Sequence, residues 1–286
     1  MRGASLLVLA VAGAVAFPSA GESVTEIDGS NDHRIFRVGA LTRLLLEPIV
    51  WRLVDTRQID LDWTVGTCLK TPIPPDYDGL TLRTLHAGRA PFPDDFPQDS
   101  DRSPRENFVR GFWSLRTRVD FSFDAPRASD VAYALFWFAV SERLGQPLDA
   151  LCQAHLVEPY GLRDTSLAPV AARRNRMVAA DEERARSLPD LCSRGLLSSP
   201  HDVLRLAYVI LPHLSRVEPL VRADALLSGH AIARVSGVTP DGVAFLGFDR
   251  VAKRALLFLS TDDDLDLPDL LARMEIAFGG VSVGSP

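Results

Sequence analysis

Lysine is almost absent from this chain of 286 residues: the 31 basic residues include only Lys70 and Lys253, the rest being arginine. No serine has a lysine three residues after it, which excludes a serine activated by a lysine one helical turn away. Cysteine is also scarce, with Cys68, Cys152 and Cys192 alone, and their spacing fits no metal site. The sequence contains no G-x-S-x-G elbow, no H-E-x-x-H and no glycine-rich phosphate loop, so three common routes to hydrolase, metalloprotease and nucleotide chemistry are closed. A formal net charge of −6 argues against a nucleic-acid partner. We see no internal repeat and no long linker, and the acidic, proline-rich run 91–104 reads as a solvated loop.

What is present is a chain of ordinary globular composition, 47% hydrophobic and 24% charged, long enough for one large domain or two small ones with a sizeable core. Met1-Arg2, an apolar run over residues 4–17 and small residues at Ala14, Ala16, Ser19 and Ala20 read as a secretory signal over 1–20. Residues 21–286 then form the mature domain, in the periplasm or outside the cell. The alternative is an uncleaved anchor helix, which alone would bring the protein to a membrane.

The segment Phe36-Arg37-Val38-Gly39-Ala40-Leu41-Thr42-Arg43 is followed by apolar residues at helical spacing: Leu44, Leu45, Ile49, Val50, Leu53 and Val54. Pro48 lies inside that run and predicts a kink or a split. The segment resembles F-x-x-G-S-x-x-K of the serine β-lactamase and D,D-peptidase family, closest to its class C and esterase-like branch. Further resemblances follow in family order. Leu80-Thr81-Leu82-Arg83-Thr84-Leu85 is similar to I-T-L-R-H-L-L, Tyr133-Ala134-Leu135-Phe136-Trp137 to G-Y-x-L-L-G, and Glu158 to Thr165 to P-L-G-M-x-D-T. Gly195-Leu196-Leu197-Ser198-Ser199-Pro200-His201-Asp202-Val203 resembles G-L-x-S-T-A-x-D-L. Residues 245–249 and 255–260 look like the two strands that close the sheet.

The resemblance implies an α/β fold, a mainly antiparallel sheet sandwiched by helices, with an inserted all-helical lobe over about 61–188. It also implies N-terminal strands that are reduced or missing, because only about twenty residues separate the expected signal cleavage from Phe36, and a C-terminal helix over residues 268–278. An exposed sheet edge would follow.

The same resemblance places the catalytic positions, and each is altered. Ala40 stands for the serine and has no oxygen to attack with. Arg43 stands for the lysine, and a guanidinium stays protonated and offers no acceptor. Counting back from Tyr133, the Y-x-N motif falls on Ala128-Ser129-Asp130. Counting back from Phe245, the K-T-G motif falls on Val235-Ser236-Gly237, with only the glycine kept. The resemblance implies that Ala40, Arg43, Asp130 and Ser236 share one concave pocket, with Asp130 as the counter-charge of Arg43.

Several residues carry plainer readings. Thr67-Cys68-Leu69-Lys70 matches the nucleophile-to-lysine spacing but reads as part of a proline-flanked loop, 71–75. Cys152 reads as core, while one disulfide plus one thiol is open to an exported chain. His230 is the histidine nearest the altered motifs and reads as structural or exposed. Trp137, in a helix apolar on nearly every face, reads as core. The sequence therefore predicts no catalytic residues, no cofactor and no metal. It points to an inactive exported homologue with a small-molecule or protein partner. The alternative is a residual serine hydrolase of β-lactamase, D,D-peptidase or esterase type working through other residues.

Overall fold

A computed structural model describes residues 5–11, 14–16, 33–88, 90, 92, 95–114, 129–167, 176–177, 187–217, 222–227, 230–239, 242–249 and 254–260. In chain order the strands are β1 (Ser5–Val11), β2 (Ala14–Ala16), β3 (Phe36–Arg37), β4 (Leu197–Ser198), β5 (Arg222–Leu227), β6 (His230–Thr239), β7 (Gly242–Asp249) and β8 (Arg254–Ser260). The α-helices are α1 (Leu41–Asp55), α2 (Val65–Cys68), α3 (Leu82–His86), α4 (Pro104–Ser114), α5 (Asp130–Leu144), α6 (Leu148–Cys152), α7 (Glu158–Tyr160), α8 (Leu188–Arg194) and α9 (Pro200–Ile210). The chain divides into a sheet unit, Met1–Leu45 with Leu162–Ala180 and Leu196–Pro286, and a helical unit, Leu46–Gly161 with Asp181–Gly195.

The sheet unit is built on six antiparallel strands in the order β2-β1-β8-β7-β6-β5. Ala255, Leu257 and Leu259 of β8 are buried, and as alternate residues of one strand they share one face of the sheet. α9 packs against β8. Its buried residues Val203, Leu204, Leu206, Ala207 and Ile210 recur at helical spacing. The start of α9 is fixed by Ser199, whose side chain accepts from the Asp202 amide, and by Pro200 in the first turn, where no amide hydrogen is needed.

β1 and β2 correct one expectation. The stretch that reads as a secretory signal supplies two strands, with β1 paired to β8 from Ser5↔Ser260 to Ala10↔Ala255. The N-terminal strands are present, not missing. Among the described residues no helix is long and apolar enough to cross a membrane. Residues 268–278, expected as a C-terminal helix, lie outside the described residues.

The helical unit centres on α5, where every residue from Asp130 to Val140 is buried. Ser129 caps the helix by accepting from the Ala132 amide, and Gly145 ends it at φ 68°, a left-handed conformation that favours glycine. Beside it Tyr77, Phe92, Phe96, Phe108 and Phe112 pack largely edge to face, with ring centroids 5.0–5.7 Å apart. The unit begins earlier than the expected 61 and excludes 162–180, which belong to the sheet unit. Pro48 does not split α1, which is assigned as one helix of 15 residues. Leu44, Leu45, Leu46, Ile49 and Leu53 are all fully buried, and that packing outweighs the loss of one backbone hydrogen bond.

Candidate functional site

The lead-in to α1 is held from two sides within the sheet unit. β3 pairs with β4 through Phe36↔Ser198 and Arg37↔Leu197. The Val38 amide then donates to the Leu196 carbonyl at 3.0 Å, and the Leu196 amide donates to Thr42 Oγ1 at 3.2 Å. Gly39 turns the chain at φ 52°, and Leu41 starts the helix. Ala40 therefore sits at the first turn of α1, half-buried, with Arg43 half-buried three residues on. Ala40 holds the position that the sequence resemblance gives to a nucleophile. Its side chain is a methyl group, without the lone pair that attack on a carbonyl requires.

Val235, Ser236 and Gly237 lie on β6, in register with Leu246, Phe245 and Ala244 of β7. Ser236 is not alone: Arg234, only 8% exposed, donates from Nη1 to Ser236 Oγ at 3.2 Å. This buried cation was missed by motif counting, although it directly precedes the motif. Asp130 belongs to the helical unit, in the first turn of α5 and 9% exposed, where it accepts from Arg194 Nη2 at 2.5 Å. A cation from 64 residues away in sequence thus engages Asp130. Ala128 lies outside the described residues. Ala40, Arg43 and the β6 triplet are thus in the sheet unit, and Asp130 is in the helical unit.

Two of the family segments kept in the sequence, around Thr165 and around Asp202, are joined inside the sheet unit. Asp202 is 1% exposed, and its Oδ2 accepts from the Asp164 amide at 2.7 Å and from Thr165 Oγ1 at 3.0 Å. Thr165 also meets Ser198 Oγ at 2.8 Å. Asp164, 2% exposed, is bonded by His33 Nδ1 at 2.8 Å and Arg176 Nη1 at 2.7 Å. Burial pushes the Asp164 carboxyl up, but the bonds from His33 and Arg176 prevail and hold it below the usual carboxylate range. The D-T and S-S-P-H-D segments are one buried hydrogen-bond network. Gly161, at φ 60°, makes the turn after α7.

The remaining singled-out residues have local roles. Thr67 Oγ1 donates to the Thr64 carbonyl at 2.7 Å, within its own short helix. Cys68, Cys152 and Cys192 are buried thiols, none in a disulfide, so the possible bridge is not formed. Burial pushes Cys152 up to about 12. Trp137 is 1% exposed, in the core as expected. His230 opens β6. Among the described residues no group of three or more histidine, cysteine, aspartate or glutamate side chains is placed to hold a metal ion.

Comparison with known proteins agrees with this architecture. The family model described as Beta-lactamase matches residues 1–253. No curated protein matches the sequence. Among solved structures, a class C β-lactamase from Rhodobacter sphaeroides superposes with a TM-score of 0.73 at 14% identity, covering 96% of this chain and 94% of that one. A β-lactamase/D-alanine carboxypeptidase from Yersinia pestis gives 0.71 at 18% identity, covering 96% and 92%. The corresponding protein from Pseudomonas syringae gives 0.72 at 12%, covering 98% and 94%.

Proposed function

This chain belongs to the β-lactamase family, and from that premise we propose that it is a non-catalytic member, acting by binding a ligand or a protein partner. The observation that carries the reading is Ala40 at the first turn of α1, on a lead-in otherwise built as a nucleophile segment. Loss of the nucleophile alone costs on the order of a million-fold in turnover in a serine protease. What remains there is roughly 10³–10⁴-fold over water, from binding and the oxyanion hole. The position three residues on does not compensate, because the Arg43 guanidinium holds its proton and has no lone pair to act as a base. Arg43, and Arg234 with Ser236, supply hydrogen-bond donors, which suits a ligand bearing a carboxylate better than a reaction on one.

The test is intact mass spectrometry of the purified chain after incubation with a reactive penicillin. The expected result is no adduct. A stoichiometric mass increase mapped to any one serine would overturn the reading and establish a serine hydrolase working through another residue.

A further inference from the structure

The helical unit carries an open pocket of about 350 Å³, with Lys70 and Arg105 at its exposed side, that none of the altered family positions lines. Its apolar wall comes from Trp137 and Phe138 of α5, Leu148 of α6 and Leu188 of α8, all wholly or mostly buried. Lys70, Arg105 and Glu142 line its polar side. The volume lies within the range of small-ligand sites, and so does the mixture of an aromatic and aliphatic wall with a few polar groups.

The polar groups decide what kind of ligand fits. Glu142 is already engaged: Oε2 takes the Lys70 and Thr71 amides at 3.3 and 3.0 Å and Thr71 Oγ1 at 3.0 Å, and Oε1 takes the Arg105 guanidinium. Its negative charge is thereby committed to Arg105 and to the backbone of residues 70 and 71. Arg105 is fixed by that pair, by Thr71 Oγ1 at 3.0 Å and by the face of Phe138, 5.1 Å from its ring centroid. The ammonium of Lys70, in contrast, makes no ion pair among the described residues. Two cations against one engaged carboxylate leave the cavity with an unmatched positive charge beside an aromatic wall. We propose that this cavity is a second binding site, for a small carboxylic acid with an apolar, aryl-sized body. The body lies on Trp137 and Leu188 and the carboxylate meets Lys70.

The experiment titrates 4-phenylbutyrate and 4-phenylbutyramide into the full chain, read by tryptophan fluorescence and by calorimetry. The acid saturates and the amide binds about 5-fold or more weakly, the size of one partly exposed charge interaction. Lys70→Met brings the acid down to the level of the amide. Leu188→Trp fills the cavity and abolishes binding of both, and Ser141→Phe does the same from α5 should the first variant fail to fold by circular dichroism. Equal binding of acid and amide to the unmodified chain would overturn the proposal. So would undiminished binding to a folded cavity-filling variant, or no saturation by the acid up to about 10 mM.

Discussion

Replacing Asp202 by alanine tests the claim that the surviving family segments are kept for the fold. The carboxylate is 1% exposed and receives the Asp164 amide at 2.7 Å and the Thr165 hydroxyl at 3.0 Å. Hydrogen bonds to a charged group contribute about 1.5–3 kcal/mol each, and a buried donor left without an acceptor loses its full solvation. The Asp164 amide would have no substitute, whereas the Thr165 hydroxyl keeps Ser198 at 2.8 Å. The carboxylate also lies in the first turn of α9, where a negative charge adds about 0.3–1 kcal/mol. Part of the Thr165 bond is recovered through Ser198, so the net loss is about 3 kcal/mol. For a chain of this size that lowers the melting temperature by roughly 6–12 °C. Asp202→Asn keeps one acceptor oxygen and loses about half as much. The assay is thermal and urea unfolding by far-ultraviolet circular dichroism. A melting temperature for Asp202→Ala within about 2 °C of the parent would refute the assignment of this network as structural.

Three further outcomes follow from particular contacts. With all three cysteines buried and Cys152 pushed up to about 12, Ellman's reagent titrates no thiol in the native chain and three in denaturant; a fast-reacting native thiol would contradict this. Asp164 is held below its ordinary value, so its contribution is present above the unfolded pKa of about 3.9 and lost as pH falls through the lower folded value. Arg176→Gln removes one of the bonds responsible, and the acid-unfolding midpoint then moves to higher pH; an unchanged or lower midpoint counts against the pair. A chain beginning at Gly21 lacks β1 and β2 and uncovers the edge of β8. It aggregates or elutes as oligomers in size-exclusion chromatography, and a soluble monomer of unchanged stability would show that the pairing is dispensable.

Much of the fold was legible because the family segments are local and ordered: the helix that follows Gly39 and the paired strands around residues 245 and 258. The alterations at Ala40 and Arg43 were legible for the same reason, since an absent hydroxyl needs no structure to be noticed. What escaped depended on distance or on ambiguity. The apolar run over residues 4–17 carries no strand signal of its own, and its place beside β8 depends on residues about 250 positions away. Pro48 obeys its local rule as a lost donor, but the local rule is outweighed by five fully buried neighbours. The pairing of Asp130 with Arg194 joins two short segments that no periodicity connects.

The β1–β8 pairing also has a consequence for the order in which the protein can be made. β1 leaves the ribosome before every other described element and its partner β8 after them, so six register pairs wait until residues 255–260 have been made. Most of the helical unit, residues 46–161, is synthesised first and has its partners at hand. The N-terminal hairpin must stay unpaired through that interval, with apolar strand residues open to chaperones or to the same segment of a neighbouring nascent chain. Slow translation near the C-terminus, or truncation before residue 254, would leave that hairpin without its partner, and the burden would fall on folding yield more than on the stability of the finished protein.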